Sequence, residues 1–268
     1  MKKILLITSS VVAISTFVSS ANAKSVSDIF FKPSSGQVVS TTDYAMFTIT
    51  RDNDAGVSQD TDGTSVSQKF DYGLSDKDTL SLSIGYGDLD DNANSEYNNQ
   101  NGFTNPTLGF KRRIASDEVI VDLKFAYTPD LIDEDDSDFV SEKSAFDFGV
   151  NVGGESFVGD YLIVANVTQV TSDSDGNEAY SVFTYGVEKQ IELTDQIKLH
   201  PAFYLVESDG TDNTDDFKDT GYNYFSYGAS ISYDVNDDLA VYLGIRNRNY
   251  DESGHDDTAT TLTIKTDF

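Results

Sequence analysis

The sequence predicts an all-β fold: a single closed antiparallel up-and-down transmembrane β-barrel of twelve strands. Three observations predict it. The chain ends on the segment 261–268, TLTIKTDF, in which apolar and polar residues alternate with period two. The candidate strands are even in number, and the connections between them alternate between short and long. Beyond the N-terminal leader, no stretch is long and apolar enough for a transmembrane helix.

The N-terminus resembles a secretory leader. Lys2 and Lys3 precede a mostly apolar run over 4–18, and Ala21-Asn22-Ala23 offers a small-residue cleavage site. We therefore expect residues 1–23 to be a cleaved signal peptide. The alternative is an uncleaved anchor, but a run of about 15 residues is short for a span of roughly 20. The absence of cysteine suits an oxidising periplasm and excludes thiol catalysis and disulfides.

The middle of the chain has a repeating hairpin pattern. The predicted strands are 42–51, 64–74, 78–88, 104–114, 118–128, 143–153, 160–171, 179–191, 195–206, 221–233, 238–250 and 258–268. Short turns are predicted at 75–77, 115–117, 154–159, 192–194 and 234–237, and longer loops at 52–63, 89–103, 129–142, 172–178, 207–220 and 251–257. This asymmetry is typical of an outer-membrane barrel with periplasmic turns and external loops. A soluble β-sandwich has no reason to alternate its loops so strictly.

The chain is strongly acidic, with a formal net charge of -28. Such a chain does not seek nucleic acid phosphates. The densest acidic runs, such as 133–136 and 209–216, lie in predicted external loops, where solvated loop tips are the simple interpretation. The alternative is that these loops hold calcium or magnesium ions that bridge to lipopolysaccharide, because such cations take oxygen ligands. Segment 172–178 resembles a calcium loop, but it lacks the full EF-hand spacing. We expect no other cofactor.

Strand parity assigns the two faces of the predicted wall. The apolar rows expected to face lipid are Phe70, Tyr72, Leu74, Leu80, Leu82, Ile84, Tyr86, Leu108, Phe110, Ile114, Val119, Val121, Leu123, Phe125, Tyr127, Phe146, Phe148, Val150, Val152, Leu239, Val241, Leu243 and Ile245. The opposite parity defines the lumen, where basic residues outnumber acidic ones in the predicted set. The residues expected to tune selectivity there are Lys69, Lys111, Arg113, Lys124, Lys198, Arg246 and Arg248. The alternative is that these residues pair with carboxylates and brace the wall.

Residues 41–268 form the predicted barrel, and 24–40 precede it. This segment contains Phe30, Phe31 and Pro33, and it is interpreted either as a periplasmic tail or as a plug in the lumen. Eight strands leave an interior filled by side chains, whereas sixteen leave an aqueous pore. Twelve strands therefore predict a narrow channel.

An enzymatic role is not expected. Membrane-embedded hydrolases need a histidine that can take the serine proton. The chain has 2 histidines, His200 and His255, and neither stands in a His-x-Ser pattern.

The leader, the terminal Phe268, the twelve alternating strands and the acidic loops together resemble Gram-negative outer-membrane β-barrels of the porin-like class. The segments NPTLGFKRR at 105–113 and VDLKFAYTP at 121–129 look like those of the outer-membrane family linked to the meta-pathway of phenol degradation. That resemblance implies uptake of hydrophobic or aromatic compounds. Phe268 is expected to act as the signal for the barrel assembly machinery, although Thr266 stands where an apolar or aromatic residue is usual.

Two functions follow from this interpretation. The first is a channel in the cell outer membrane for passive diffusion or uptake of small solutes, with anionic or aromatic solutes as the finer expectation. The second is a non-conducting structural barrel that acts through its acidic external loops on cations, lipopolysaccharide or a host surface.

Overall fold

The computed structural model describes residues 25–52, 58–90, 100–114, 119–132, 143–156, 158–171, 179–209, 223–250 and 255–268. The predicted signal peptide, the acidic run 133–136 and the loop 172–178 lie outside these ranges, as does most of 209–216. Within the described residues, no helix is long and apolar enough to cross a membrane.

The chain forms one antiparallel sheet in which neighbours in sequence are neighbours in space. Its strands are β1 (Val38–Asp52), β2 (Ser58–Gly73), β3 (Asp78–Asp90), β4 (Gln100–Phe103), β5 (Thr107–Arg113), β6 (Val119–Thr128), β7 (Ala145–Gly154), β8 (Asp160–Val170), β9 (Tyr180–Glu192), β10 (Ile197–Ser208), β11 (Asn223–Asn236), β12 (Leu239–Tyr250) and β13 (His255–Asp267).

The sheet closes because β1 pairs with β13, from Val39 opposite Asp267 to Arg51 opposite His255. Closure gives β1 and β13, which would be the edges of an open sheet, a partner on each side. Both β4 and β5 pair with β3, so they are two parts of one wall strand, and the barrel has 12 strands as predicted. We call the end with connections 74–77, 114–118, 155–159, 193–196 and 237–238 the turn end, and the opposite end the loop end.

Strand β4 lies within the predicted loop 89–103, and β5 begins at Thr107 and not at residue 104, where the predicted strand 104–114 began. Thr104 still reaches β3, because its amide donates to the Gly85 carbonyl at 2.8 Å. Pro106 has no amide hydrogen and cannot continue the ladder. Asn105 turns its side-chain oxygen to the amides of Leu131 and Ile132, each at 2.9 Å. The strand therefore stops at these residues and resumes at Thr107.

The predicted long loop 52–63 is wrong over most of its length. Strands β1 and β2 continue to Asp52 and Ser58. Cross-strand hydrogen bonds support this extension, since Thr48 donates to Asp62 at 2.7 Å and Thr50 to Asp60 at 2.8 Å. Polarity suggested a loop, but polar side chains suit a hairpin that projects beyond an apolar belt.

The outer face carries the predicted apolar rows. Every residue of those rows that the structure describes is exposed or half-buried. Leu243 and Ile245, midway along β12, are 62% and 60% exposed. A continuous apolar surface of this extent is unfavourable in water and suits lipid contact.

Residues 25–30 lie inside the turn end of the barrel, where all six are buried. Ile29 and Phe30 pack against the inward side chains of Ile120, Leu162 and Val164. A second apolar cluster lies toward the loop end and comprises Phe47, Ile49, Leu89 and Ala259. The lumen therefore contains apolar clusters as well as the polar residues that parity predicts.

Candidate solute pathway in the lumen

Alternation along the strands turns all seven predicted selectivity residues inward. Lys69, Lys111, Arg113, Lys198 and Arg248 are buried, and Lys124 and Arg246 are half-buried. Their neighbours in sequence, such as Phe70, Leu123 and Ile245, are exposed on the outer face. Period-two parity was therefore sufficient to identify this face from the sequence.

Four of these cations form ion pairs with inward carboxylates. The distances are 2.9 Å for Lys69–Asp71, 2.9 Å for Arg113–Asp122, 3.2 Å for Lys198–Asp234 and 3.4 Å for Arg248–Asp257. Arg113 contacts both oxygens of Asp122, the second at 3.1 Å. These contacts match the alternative interpretation, in which the basic residues brace the wall.

Further inward carboxylates offset the expected excess of basic residues in the lumen. Asp43, Asp234 and Asp257, which the sequence analysis did not place in the lumen, lie on inward positions of β1, β11 and β13. Asp234 and Asp257 pair with Lys198 and Arg248. Asp43 accepts a hydrogen bond from Thr263 on the neighbouring strand. Charges of both signs therefore face the lumen.

The N-terminal segment is fixed to the wall by polar contacts. The Lys198 ammonium donates to the hydroxyls of Ser25 and Ser27 at 2.8 and 2.7 Å. The Ile29 amide donates to the side chain of Gln190 at 2.7 Å. Lys32 donates to the carbonyls of Pro33 and Ser75, each at 3.0 Å, and so joins the segment to the turn before β3.

A cavity of about 230 Å³ remains between this segment and one side of the wall. Ile29, Phe31 and Pro33 of the segment form one side. The facing wall belongs to β1, β2 and β9–β13, and beside larger charged and aromatic residues it includes several small ones: Ala45, Ser65, Ser67, Ala202, Ser226, Gly228, Ser230 and Gly244. These small side chains leave open space between the segment and this part of the wall.

Two of the seven predicted residues, Lys69 and Arg246, line this cavity. Lys265 also lines it, and its ammonium lies 4.8 Å from the centre of the Phe31 ring. Parity placed Lys265 in the lumen, but no sequence signal predicted its contact with a residue so distant along the chain.

A serine and a histidine do meet in the lumen. His200 Nε2 lies 2.9 Å from Ser232 Oγ, and the His200 ring lies 5.6 Å from that of Tyr242. Ser232 is fully buried in the wall, with 0% exposure, so no substrate can reach its hydroxyl. The pair is interpreted as a satisfied polar contact. A sequence search for His-x-Ser could not find it, because the residues lie on separate strands.

Within the described ranges, no three acidic or histidine side chains are grouped so as to hold a metal ion. The acidic loop runs for which calcium or magnesium was considered lie mostly outside those ranges.

No family model matches the chain, and no curated protein matches it in sequence. Solved structures do resemble its fold. An outer membrane channel from Pseudomonas putida F1 has a TM-score of 0.73 at 10% identity, over 94% of this chain and 100% of that one. The translocator domain of the autotransporter NalP from Neisseria meningitidis has a TM-score of 0.59 at 12% identity, over 87% and 89%. The NanC porin has a TM-score of 0.52 at 9% identity, over 82% and 98%.

Identities this low show the fold alone. The solved structures support an outer-membrane type of barrel. The resemblance to the family linked to phenol degradation stays a prediction from two short segments.

Proposed function

We propose that this protein is a channel in the cell outer membrane that admits small solutes. The observation that carries the proposal is the cavity of about 230 Å³ inside a closed barrel, lined by small and charged side chains. The apolar outer belt supports a place in a lipid bilayer. The P. putida channel and the NanC porin, which share the fold, support the porin-like interpretation.

The finer part of the proposal is that the solutes are anionic or aromatic. Phe31 and Phe47 line the cavity and offer apolar contact to a ring. Among the described residues, Lys265 forms no ion pair with a carboxylate, and its ammonium lies over the Phe31 ring. Because inward carboxylates offset the basic residues, we expect a weak preference for anions and not a strong one.

The second candidate is a non-conducting barrel that acts through its acidic loops. One observation favours it: the N-terminal segment lies inside the barrel at the turn end, and two apolar clusters of the described residues face the lumen. In this case lipopolysaccharide, cations or a host surface would be the partners, and the barrel would serve as their support.

Planar-bilayer recording of the refolded mature chain, residues 24–268, separates the two candidates. We expect discrete openings, and a reversal potential under a salt gradient then gives the charge preference. A barrel that folds, as judged by heat-modifiable gel migration, but never conducts would contradict the channel. Assembly through Phe268 and the barrel assembly machinery is a further proposal. It is supported by the amide of Phe268, which donates to the Val38 carbonyl at 2.9 Å where the barrel closes.

A further inference from the structure

Two aromatic rings that border the cavity lie over glycines of the neighbouring strand. Phe47 on β1 is directly opposite Gly63 on β2, and Tyr204 on β10 is directly opposite Gly186 on β9. Residues directly opposite each other share a face of the sheet, so both glycines face the lumen. Phe47 and Tyr204 line the cavity, whereas neither glycine does. Each ring therefore lies between its glycine and the open space.

The contact between ring and glycine is close. A Cβ atom added to Gly63 would lie 2.5 Å from Cζ of Phe47, and one added to Gly186 would lie 2.5 Å from Cε1 of Tyr204. Carbon atoms in contact are about 3.5–4.0 Å apart, so neither ring can keep its place beside a side chain. Neither glycine has the positive φ that favours glycine. What these two positions contribute is therefore the absence of a side chain.

Each ring has a second attachment. The Tyr204 hydroxyl donates a hydrogen bond to Glu188, which stands two residues after Gly186 on the same strand. Phe47 belongs to the apolar cluster toward the loop end, where it is buried. The rings are thus fixed in place along the wall, and the glycines decide how close to the wall they lie.

The two ring–glycine pairs flank the open part of the wall. In the order of the sheet, β11, β12 and β13 separate β10 from β1. These three strands contribute small residues to the cavity, among them Gly228, Ser230 and Gly244. A ring displaced from its glycine has the wall on one side and this open space on the other. It can therefore move only into the passage.

We propose that Gly63 and Gly186 set the width of the passage, and with it the largest solute that the channel admits, by holding Phe47 and Tyr204 against the wall. A glycine within a strand often marks a place where another group approaches closely. The two glycines are positioning residues, because they act through the rings and not on the solute. The inference rests on the proposed function, since the width matters only if solutes pass.

Planar-bilayer recording and liposome swelling of the refolded mature chain test the two glycines. We expect Gly63→Ala and Gly186→Ala each to lower the single-channel conductance to roughly half of the wild-type value or less, because a displaced ring takes up much of a cavity of about 230 Å³. The swelling rates in neutral sugars of increasing size should fall more steeply with size in both variants than in the wild type.

Removal of the ring should cancel the effect of the glycine substitution. In the Tyr204→Ala background, Gly186→Ala should leave the conductance unchanged, because no ring remains to be displaced. Gly63→Ala should likewise have no effect in the Phe47→Ala background. A glycine that served only the stability of its strand would show no such dependence on the ring.

Gly149→Ala is the matched control. Gly149 is an inward glycine of β7, its added Cβ would meet the Asn166 side chain and no ring, and it does not line the cavity. Its substitution should leave the conductance at the wild-type value. Conductance in Gly63→Ala and Gly186→Ala equal to that of this control would overturn the proposal and leave the channel standing.

The single ring variants give a test that does not depend on the folding of the glycine variants. Tyr204→Ala and Phe47→Ala should each raise the conductance by less than about twofold, because each ring lies against the wall. A several-fold rise would show that the rings already cross the passage, and it would overturn the proposal. Wild-type barrels that are folded by gel migration but never conduct would overturn both the proposal and the channel.

Discussion

At the residue scale, adjacent arginines show how parity decides what a charge does. Arg113 points inward, is 8% exposed at its side chain and pairs with Asp122, which is 2% exposed. Arg112 points outward, is 54% exposed and lies 3.7 Å from Asp78. A buried ion pair that loses one partner leaves an uncompensated charge, whereas an exposed pair contributes little.

We therefore expect Arg113→Gln to lower the free energy of unfolding by about 3–5 kcal/mol, and Arg112→Gln to change it by less than about 1 kcal/mol. Urea-induced unfolding of the refolded barrel in lipid vesicles measures both. The double variant Arg113→Gln with Asp122→Asn should recover part of the loss, because it removes both charges. Equal effects of the two single arginine variants would contradict the inward placement of Arg113.

Much of this residue-level placement could be predicted from the sequence. Once a strand is recognised, period-two alternation turns Lys69 inward and Phe70 outward without further information. Parity within the predicted strand 42–51 could also have placed Phe47 and Ile49 inside, whereas Leu89 lies one residue beyond the predicted strand 78–88. The contacts of Lys198 with Ser25 and of Lys265 with Phe31 could not be predicted, because local patterns do not tell where a segment outside the strands folds back.

At the scale of elements, the sequence left two positions open for the N-terminal segment, a periplasmic tail or a plug in the lumen. It has no strand pattern, and its position depends on separate contacts with β5, β9, β10 and the turn before β3. The β1–β2 hairpin was predicted too short, because its polar residues were interpreted as a loop. Beyond the lipid, a strand is stabilised by its ladder and by pairs such as Thr48–Asp62, so polarity no longer marks its end.

Deletion of residues 25–36 should widen the passage, because Val26, Ile29 and Phe30 occupy the lumen at the turn end. We expect single-channel conductance to rise several-fold, while gel migration still shows a folded barrel. Substitution of Ser25 and Ser27 by Ala is the milder companion, since it removes both hydrogen bonds from Lys198 without shortening the chain and keeps the Lys198–Asp234 ion pair. It should give more frequent transitions to the larger conductance. An unchanged conductance in the deletion variant would show that the segment does not limit flow.

At the scale of the whole molecule, the barrel separates two environments by alternation alone. Among the described residues, the outer face is apolar, and the inner face carries ion pairs, apolar clusters and a cavity. Small inward residues also lie on the opposite side of the barrel, such as Gly109 and Gly149, and they do not line the cavity. Open space in the lumen therefore depends on where the N-terminal segment lies and not on the strand number alone.

A last prediction tests the membrane-spanning orientation of the barrel as a whole. Leu243 lies midway along β12 between Ile231 and Leu262, and Val235 lies at the turn end of β11, with both side chains exposed on the outer face. The cost of an outward arginine in a bilayer is about 2–4 kcal/mol at the midplane and about 0–1 kcal/mol near the interface. Leu243→Arg should therefore destabilise the folded barrel in lipid vesicles by that larger amount, and Val235→Arg by the smaller. Reversible urea titration of both variants measures the difference, and equal costs would show that the outer face does not lie in lipid at the depth that the strands indicate.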